Sequence, residues 1–191
     1  MRTYSHFLTT AWAAHQLRRR GRPQATGALL AGSVLPDVPL GVISAGYVVD
    51  RRFVRPHLPD KTRCSPTYND LYFNNPWWIA AHNLLHAPLP LFVLGAIGYG
   101  FRRAPWGNKL FWFVVGCGLH SAVDILTHTD DGPVLLFPLE WHRRFHSPIS
   151  YWDPEHGGNR FRVIEIAVDL ILAGYLLRQR GRGAKPGGAD L

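Results

Sequence analysis

A chain of 191 residues with 47% apolar side chains is long enough for one core-bearing domain. Its two cysteines, Cys64 and Cys117, exclude a disulfide framework and a CxxC zinc module; Cys117, in "VVGCGLH", reads as a buried free thiol. The formal charge of +8 is mostly arginine, spread in clusters along the chain, and suits a negatively charged partner: phospholipid headgroups or nucleic acid.

The first segment, "MRTYSHFLTTAWAAHQLRRRGR", reads as a helix near 4–19 with His6 in its first turn. Its charge follows the apolar stretch and His6 interrupts it, so no secretory signal peptide is expected. Residues 26–49 are apolar enough to approach a membrane span, with a helix near 26–34, but "LPD" places Pro36 inside them, where it breaks a helix. Asp37 is bracketed by Pro36 and Pro39, so its backbone is stiff. Residues 50–75, rich in Pro, Asn, Asp and Arg, read as a long irregular loop. A helix over 77–101, with a break expected at "APLP", carries His82 and His86 at i, i+4.

The stretch "HSAVDILTH" closes a helix near 110–128 and sets His120, Asp124 and His128 four residues apart, along one stripe of an otherwise apolar helix. His128, where "THTDDG" begins to turn, fits a supporting or loop position. Residues 129–159 read as a second long loop, whose "WHRRFH" holds Arg143 and Arg144 between His142 and His146. A last helix near 160–178 contains Glu165 and Asp169, a like-charged i, i+4 pair for which Arg160 and Arg162 are the expected partners. Residues 179–191 read as a disordered, basic, Gly-rich tail beyond a single helical metal-binding domain, 1–178. His15, His57 and His156 read as surface residues.

Four stretches (26–49, 77–101, 110–128 and 163–177) approach the roughly 20 residues of a spanning helix, and each is interrupted by proline or ionisable residues or is short. Trp77, Trp78, Tyr99, Trp106, Trp112 and Tyr175 gather near their ends, as interfacial anchors do. The expectation is an all-α protein with long irregular loops, membrane-embedded or membrane-associated. Basic residues stand on nearly every connection, so the positive-inside rule assigns no orientation.

His6, Asp37, His82, His86, His120 and Asp124 bring four imidazoles and two carboxylates from four separate elements. Neutral imidazole and carboxylate are the ligands of Zn, Mn and Fe, and helix pairs supplying HxxxH and HxxxD build metal sites in bundle cores. Six donors exceed the need of one tetrahedral ion and suit two, with zinc favoured; such a pair activates a water for in-line displacement. Arg143 and Arg144 would neutralise charge developing on a phosphoryl group, and His146 would contact the same group. No GxSxG, P-loop or GxGxxG occurs.

The order "SHF", "LPD", "HNLLH", "GLHSAVDILTHTDDGPVLLFPL", over about residues 1–140, resembles the bacterial inner-membrane metal-dependent hydrolase family. More distantly it is similar to zinc-dependent phospholipase C, an all-helical fold shared with single-strand nucleases. That likeness implies His6, Asp37, His82 or His86, His120 and Asp124 as ligands, with Asp37 also a candidate base and His128 and His142 completing the set. The phospholipase uses an N-terminal Trp ligand and a final H-x3-E. Here the chain begins "MRTYSH" and carries His142-x3-His146, which implies a dinuclear rather than trinuclear centre. The function expected is a metal-dependent phosphoester hydrolase with a lipid headgroup as leading substrate. The alternatives are a non-catalytic metal-binding or metal-carrying membrane protein and a basic single-strand nuclease.

Overall fold

The computed structural model describes residues 1–22 and 24–183, with side chains to 180, and these residues build an all-helical protein. In chain order the helices are α1 (Thr3–Arg19), α2 (Thr26–Gly32), α3 (Asp37–Val49), α4 (Pro66–Asn74), α5 (Pro76–Asn83), α6 (Pro88–Gly100), α7 (Pro105–Thr127) and α8 (Gly158–Gly183). Among the described residues no strand forms; Val134 and Arg144 make one isolated bridge.

Proline sets much of this punctuation. Pro66, Pro76, Pro88 and Pro105 each stand in the first turn of a helix, where the missing N–H is no loss. Ser65 and Asn75 cap α4 and α5, accepting from Tyr68 N and from Trp77 and Trp78 N. The expected loop 50–75 is thus corrected: a wide π-type turn (Asp50–Val54) extends α3, and α4 occupies its end. Pro66 reads as a loop residue in composition but acts as a helix start after its Ser cap. The break expected in 77–101 falls between Asn83 and Pro88.

α7 is long and apolar enough to cross a membrane; two bent pairs pass the same test if each is one span. Thr26–Gly32 and Asp37–Val54 meet at 42°, and Pro76–Asn83 and Pro88–Gly100 at 45°. α7 packs against both α2 and α6. Its crossing with α2 runs through glycine: a Cβ on Gly116 would collide with Leu29 O, and one on Gly32 with Phe113 O. Small residues let two backbones approach this closely.

Helix α8, which packs on α1, has an inverted surface. Its buried positions include Glu165 and Asp169, while Val163, Ile164, Leu170, Ile171 and Leu177 are exposed. α8 is not among the helices that pass as spans; its aliphatic exterior is a face suited to an apolar surrounding. The expected partners of the two acids are corrected as well. Arg2 N donates to Glu165 Oε1 at 2.8 Å, the Arg2 guanidinium lies 3.8 Å from Glu165 Oε2, and Ser5 Oγ donates to Asp169 Oδ2 at 2.7 Å. The partners come from α1 because the acids face α1, whereas Arg162 is exposed. α8 also continues through Gly183, past the expected end at 178; residues 184–191 of the expected disordered tail lie outside the described residues.

Candidate metal centre

The two helix breaks put polar groups where α7 can meet them. A broken helix leaves carbonyls at its C-terminal end without intrahelical partners, and here those carbonyls orient histidines. His86 Nδ1 donates to His82 O at 2.6 Å, at the end of α5. His120 Nδ1 donates to Ser33 O at 2.9 Å, just past α2. At the end of α7, His128 Nδ1 donates to Asp124 O at 2.8 Å. A carbonyl only accepts, so each Nδ1 carries a proton, and in the neutral ring each Nε2 carries a lone pair. Metal-ligating histidines are held in this way, through a hydrogen bond from the second ring nitrogen.

Asp37, His86, His120 and Asp124 converge, one ligand atom from each lying within 4.8 Å of every other. His86 Nε2 is 3.1 Å from His120 Nε2, 3.5 Å from Asp37 Oδ1 and 3.7 Å from Asp124 Oδ2. His120 Nε2 is 3.3 Å from Asp37 Oδ1 and 3.0 Å from Asp124 Oδ2. A tetrahedron of donors with bonds of about 2.0–2.1 Å has edges of about 3.3 Å, within the observed range. The chemistry agrees with the spacing. With both rings neutral, two lone-pair nitrogens and two carboxylates face one another, a donor set that a cation at the centre satisfies.

The remaining expected donors are placed differently. His6 Nε2 lies 3.0 Å from Asp124 Oδ1, and its ring stacks on His120 with centroids 3.8 Å apart. The Met1 α-amino group donates to the same Oδ1 at 2.9 Å. His6 thus braces both the carboxylate and the imidazole. Burial holds its imidazole below the ordinary histidine pKa, against the pull of Asp124. Thr3 Oγ1 donates to Asp37 Oδ2, so the start of α1 orients both carboxylates. His82 stands outside the four-donor group, its ring centroid 4.7 Å from that of His86.

A family model described as YdjM inner membrane protein matches residues 1–182. The chain belongs to that family. No curated protein and no solved structure matches it. Membership and the apolar α7 together support membrane association, and the buried polar cluster lies toward the end of that helix.

In this YdjM-family chain a cavity of about 580 Å³ is lined by His82 and His128 but by none of the four donors; His82 lies against His86, and His128 Nδ1 is 3.8 Å from Asp124 Oδ1. The Tyr72 hydroxyl donates to Asp131 O at 2.6 Å and lies 2.9 Å from His82 Nδ1. Burial raises the Tyr72 phenol far above its ordinary pKa, so the proton stays on it. With that one proton given to a carbonyl, Tyr72 must accept from His82 Nδ1–H, and His82 Nε2 is left with its lone pair. Tyr72→Phe should therefore strand two buried polar groups and cost roughly 1–3 kcal/mol, read as a lowered melting temperature in detergent; an unchanged melting curve would remove the tautomer assignment. Tyr151, against His128 at 4.8 Å between centroids, also lines this space, and burial pushes its phenol up to about 12. It is a hydrogen-bond donor at neutral pH.

The arginines and histidine expected to contact substrate are spread out. The Arg144 guanidinium donates to Gly132 O and covers the rings of Tyr72 and Phe73 at 5.1 and 5.2 Å, so it is pinned against the cavity wall. Arg143 is exposed, its backbone N–H taken by Glu140. His146 is exposed and pairs with Asp130 at 2.7 Å on the cavity rim. Sequence reading missed Tyr72 and Ser33, since a tyrosine in a presumed loop and a backbone carbonyl give no local signal.

Proposed function

We propose that the chain is a metal-dependent hydrolase of a phosphoester, with one divalent ion held by Asp37, His86, His120 and Asp124 and zinc the favoured metal. The observation that carries this reading is the meeting of four lone-pair donors at metal-ligand spacing. A second ion, as the sequence suggests, would draw on His6 and Asp124, which lie together beside the four-donor group. A bound divalent cation lowers the pKa of water and stabilises charge on phosphoryl oxygens.

The chain's own groups divide the remaining work. Asp37, whose side chain is 34% exposed while the other three donors are buried, links the cluster to the outside. His82 Nε2, lone pair free and on the cavity wall, accepts or returns a proton there. Arg144, held over Tyr72 and Phe73, supplies positive potential from the side of the cavity. A lipid headgroup is the favoured substrate because the chain belongs to an inner-membrane protein family and carries basic clusters; single-stranded nucleic acid ranks behind it.

One observation favours a second reading. Four protein donors fill a tetrahedral shell, as in a closed, non-catalytic site. Detergent-purified protein loaded with Zn, Mn or Fe and screened on phosphomonoesters, phosphodiesters and phospholipids separates the two. Cleavage that stops with chelator and returns with metal is the expected result. A full complement of metal with no cleavage of any substrate would establish the closed site instead.

A further inference from the structure

The cavity beside the cluster runs against the charge of the chain. The protein carries +8 overall, yet Asp130, Asp131 and Asp153 line this space and Arg63 is its one lining guanidinium. Aromatic side chains supply much of the rest, among them Tyr72, Tyr151 and Trp152. The acids are held in place by neighbours: Trp152 Nε1 donates to Asp131 Oδ2 at 2.9 Å, His146 pairs with Asp130 at 2.7 Å, and Asp153 takes His156 Nδ1 at 2.7 Å. The Trp152 contact uses one of the two oxygens of Asp131. Tyr72 and Phe73 already carry the Arg144 guanidinium on their faces, which leaves Tyr151 and Trp152 as the lining rings for a second cation. Carboxylates set among aromatic faces are the surroundings that bind ammonium and quaternary ammonium groups. His82 gives a second, independent indication of a ligand. It is nine-tenths buried, lines the cavity and has an Nε2 lone pair that no described residue takes up. The volume lies within the usual range for small-molecule sites.

We propose that this cavity binds the cationic amine of a zwitterionic phosphoester, with Asp131 and the Tyr151 and Trp152 rings around the ammonium and the phosphate on the His82 and Arg144 side, toward the Asp37–His86–His120–Asp124 cluster. The proposal rests on the metal-dependent phosphoesterase reading and narrows its substrate to phosphoamine headgroups, whether on a lipid or free.

Binding, which does not require turnover, tests it apart from that reading. The full chain in detergent, with its metal content measured, is titrated calorimetrically with phosphorylcholine, phosphorylethanolamine and glycerol phosphate. A parallel arm measures retention on vesicles of phosphatidylethanolamine and of phosphatidylglycerol. In at least one arm the amine-bearing ligand should bind tenfold or more tightly than its amine-free counterpart, and the arm that does so identifies the source as free or lipid-borne. Asp131→Asn and Trp152→Ala should each remove most of that preference at unchanged metal content. Equal affinity for amine-bearing and amine-free ligands in both arms, or a preference that survives both substitutions, overturns the proposal. Phosphate release assayed on the same samples reports separately on the hydrolase reading.

Discussion

His120→Ala and Asp124→Ala are expected to leave purified protein with less than about a tenth of the wild-type metal content. Both residues sit on α7 and supply half of the four-donor group. His120 is fixed twice, by Ser33 O at Nδ1 and by the stacked His6 ring, so an alanine leaves a gap in a buried wall rather than a mobile side chain to substitute. Loss of a group that merely supports a ligand typically costs 10–100-fold in affinity, and loss of the ligand itself costs more. His6→Ala, which removes a brace, should therefore weaken retention about 10–100-fold without abolishing it. His82→Ala should keep the ion, because His82 lies on the cavity wall outside the four-donor group. His156→Ala, a control far from α7 in sequence and paired with Asp153, should also keep it. Elemental analysis of the five proteins decides the matter: equal content in the His120, Asp124 and His156 variants refutes the centre, and loss in the His82 variant enlarges it.

Gly116→Leu should be the most damaging substitution that touches no candidate ligand. The added Cβ alone meets the backbone of α2 at Leu29 O and Gly32, and backbone cannot rotate away as a side chain can. Separation of α2 from α7 follows, at a cost of about 1–3 kcal/mol or more. The damage reaches the metal as well. Ser33, whose carbonyl orients His120, directly follows Gly32, and His120 lies one turn beyond Gly116. Thermal unfolding in detergent should show the lower stability, and metal titration a weakened site. Gly118→Leu, on the same helix with open space around its Cβ position, should change neither. Equal effects from the two substitutions would count against the glycine crossing as the device that sets the site.

Much of this protein follows from local pattern. The helical class, the stripe of His120 and Asp124, the stiff "LPD" and the break near "APLP" are properties of short segments, and neighbouring residues alone produce them. Local pattern was misleading where one residue type has two uses. Proline and asparagine in 50–75 suggested a loop, yet with Ser65 and Asn75 as caps they begin α4 and α5. Glu165 and Asp169 looked destined for the arginines beside them in sequence, but burial against α1 gives them Arg2 and Ser5.

By itself, then, the sequence determines that this chain is helical, that its spans are interrupted, and that imidazoles and carboxylates sit at the interruptions. Which of them meet is a tertiary matter. Candidates at helical spacing share a face, but convergence needs α2 and α6 to close on α7, and that closeness depends on glycines and freed carbonyls rather than on the donors. His82 and His86 illustrate the difference. They are indistinguishable as an i, i+4 pair, yet one turn of helix and a proline break send His86 into the cluster and leave His82, held by Tyr72, on the wall of the cavity.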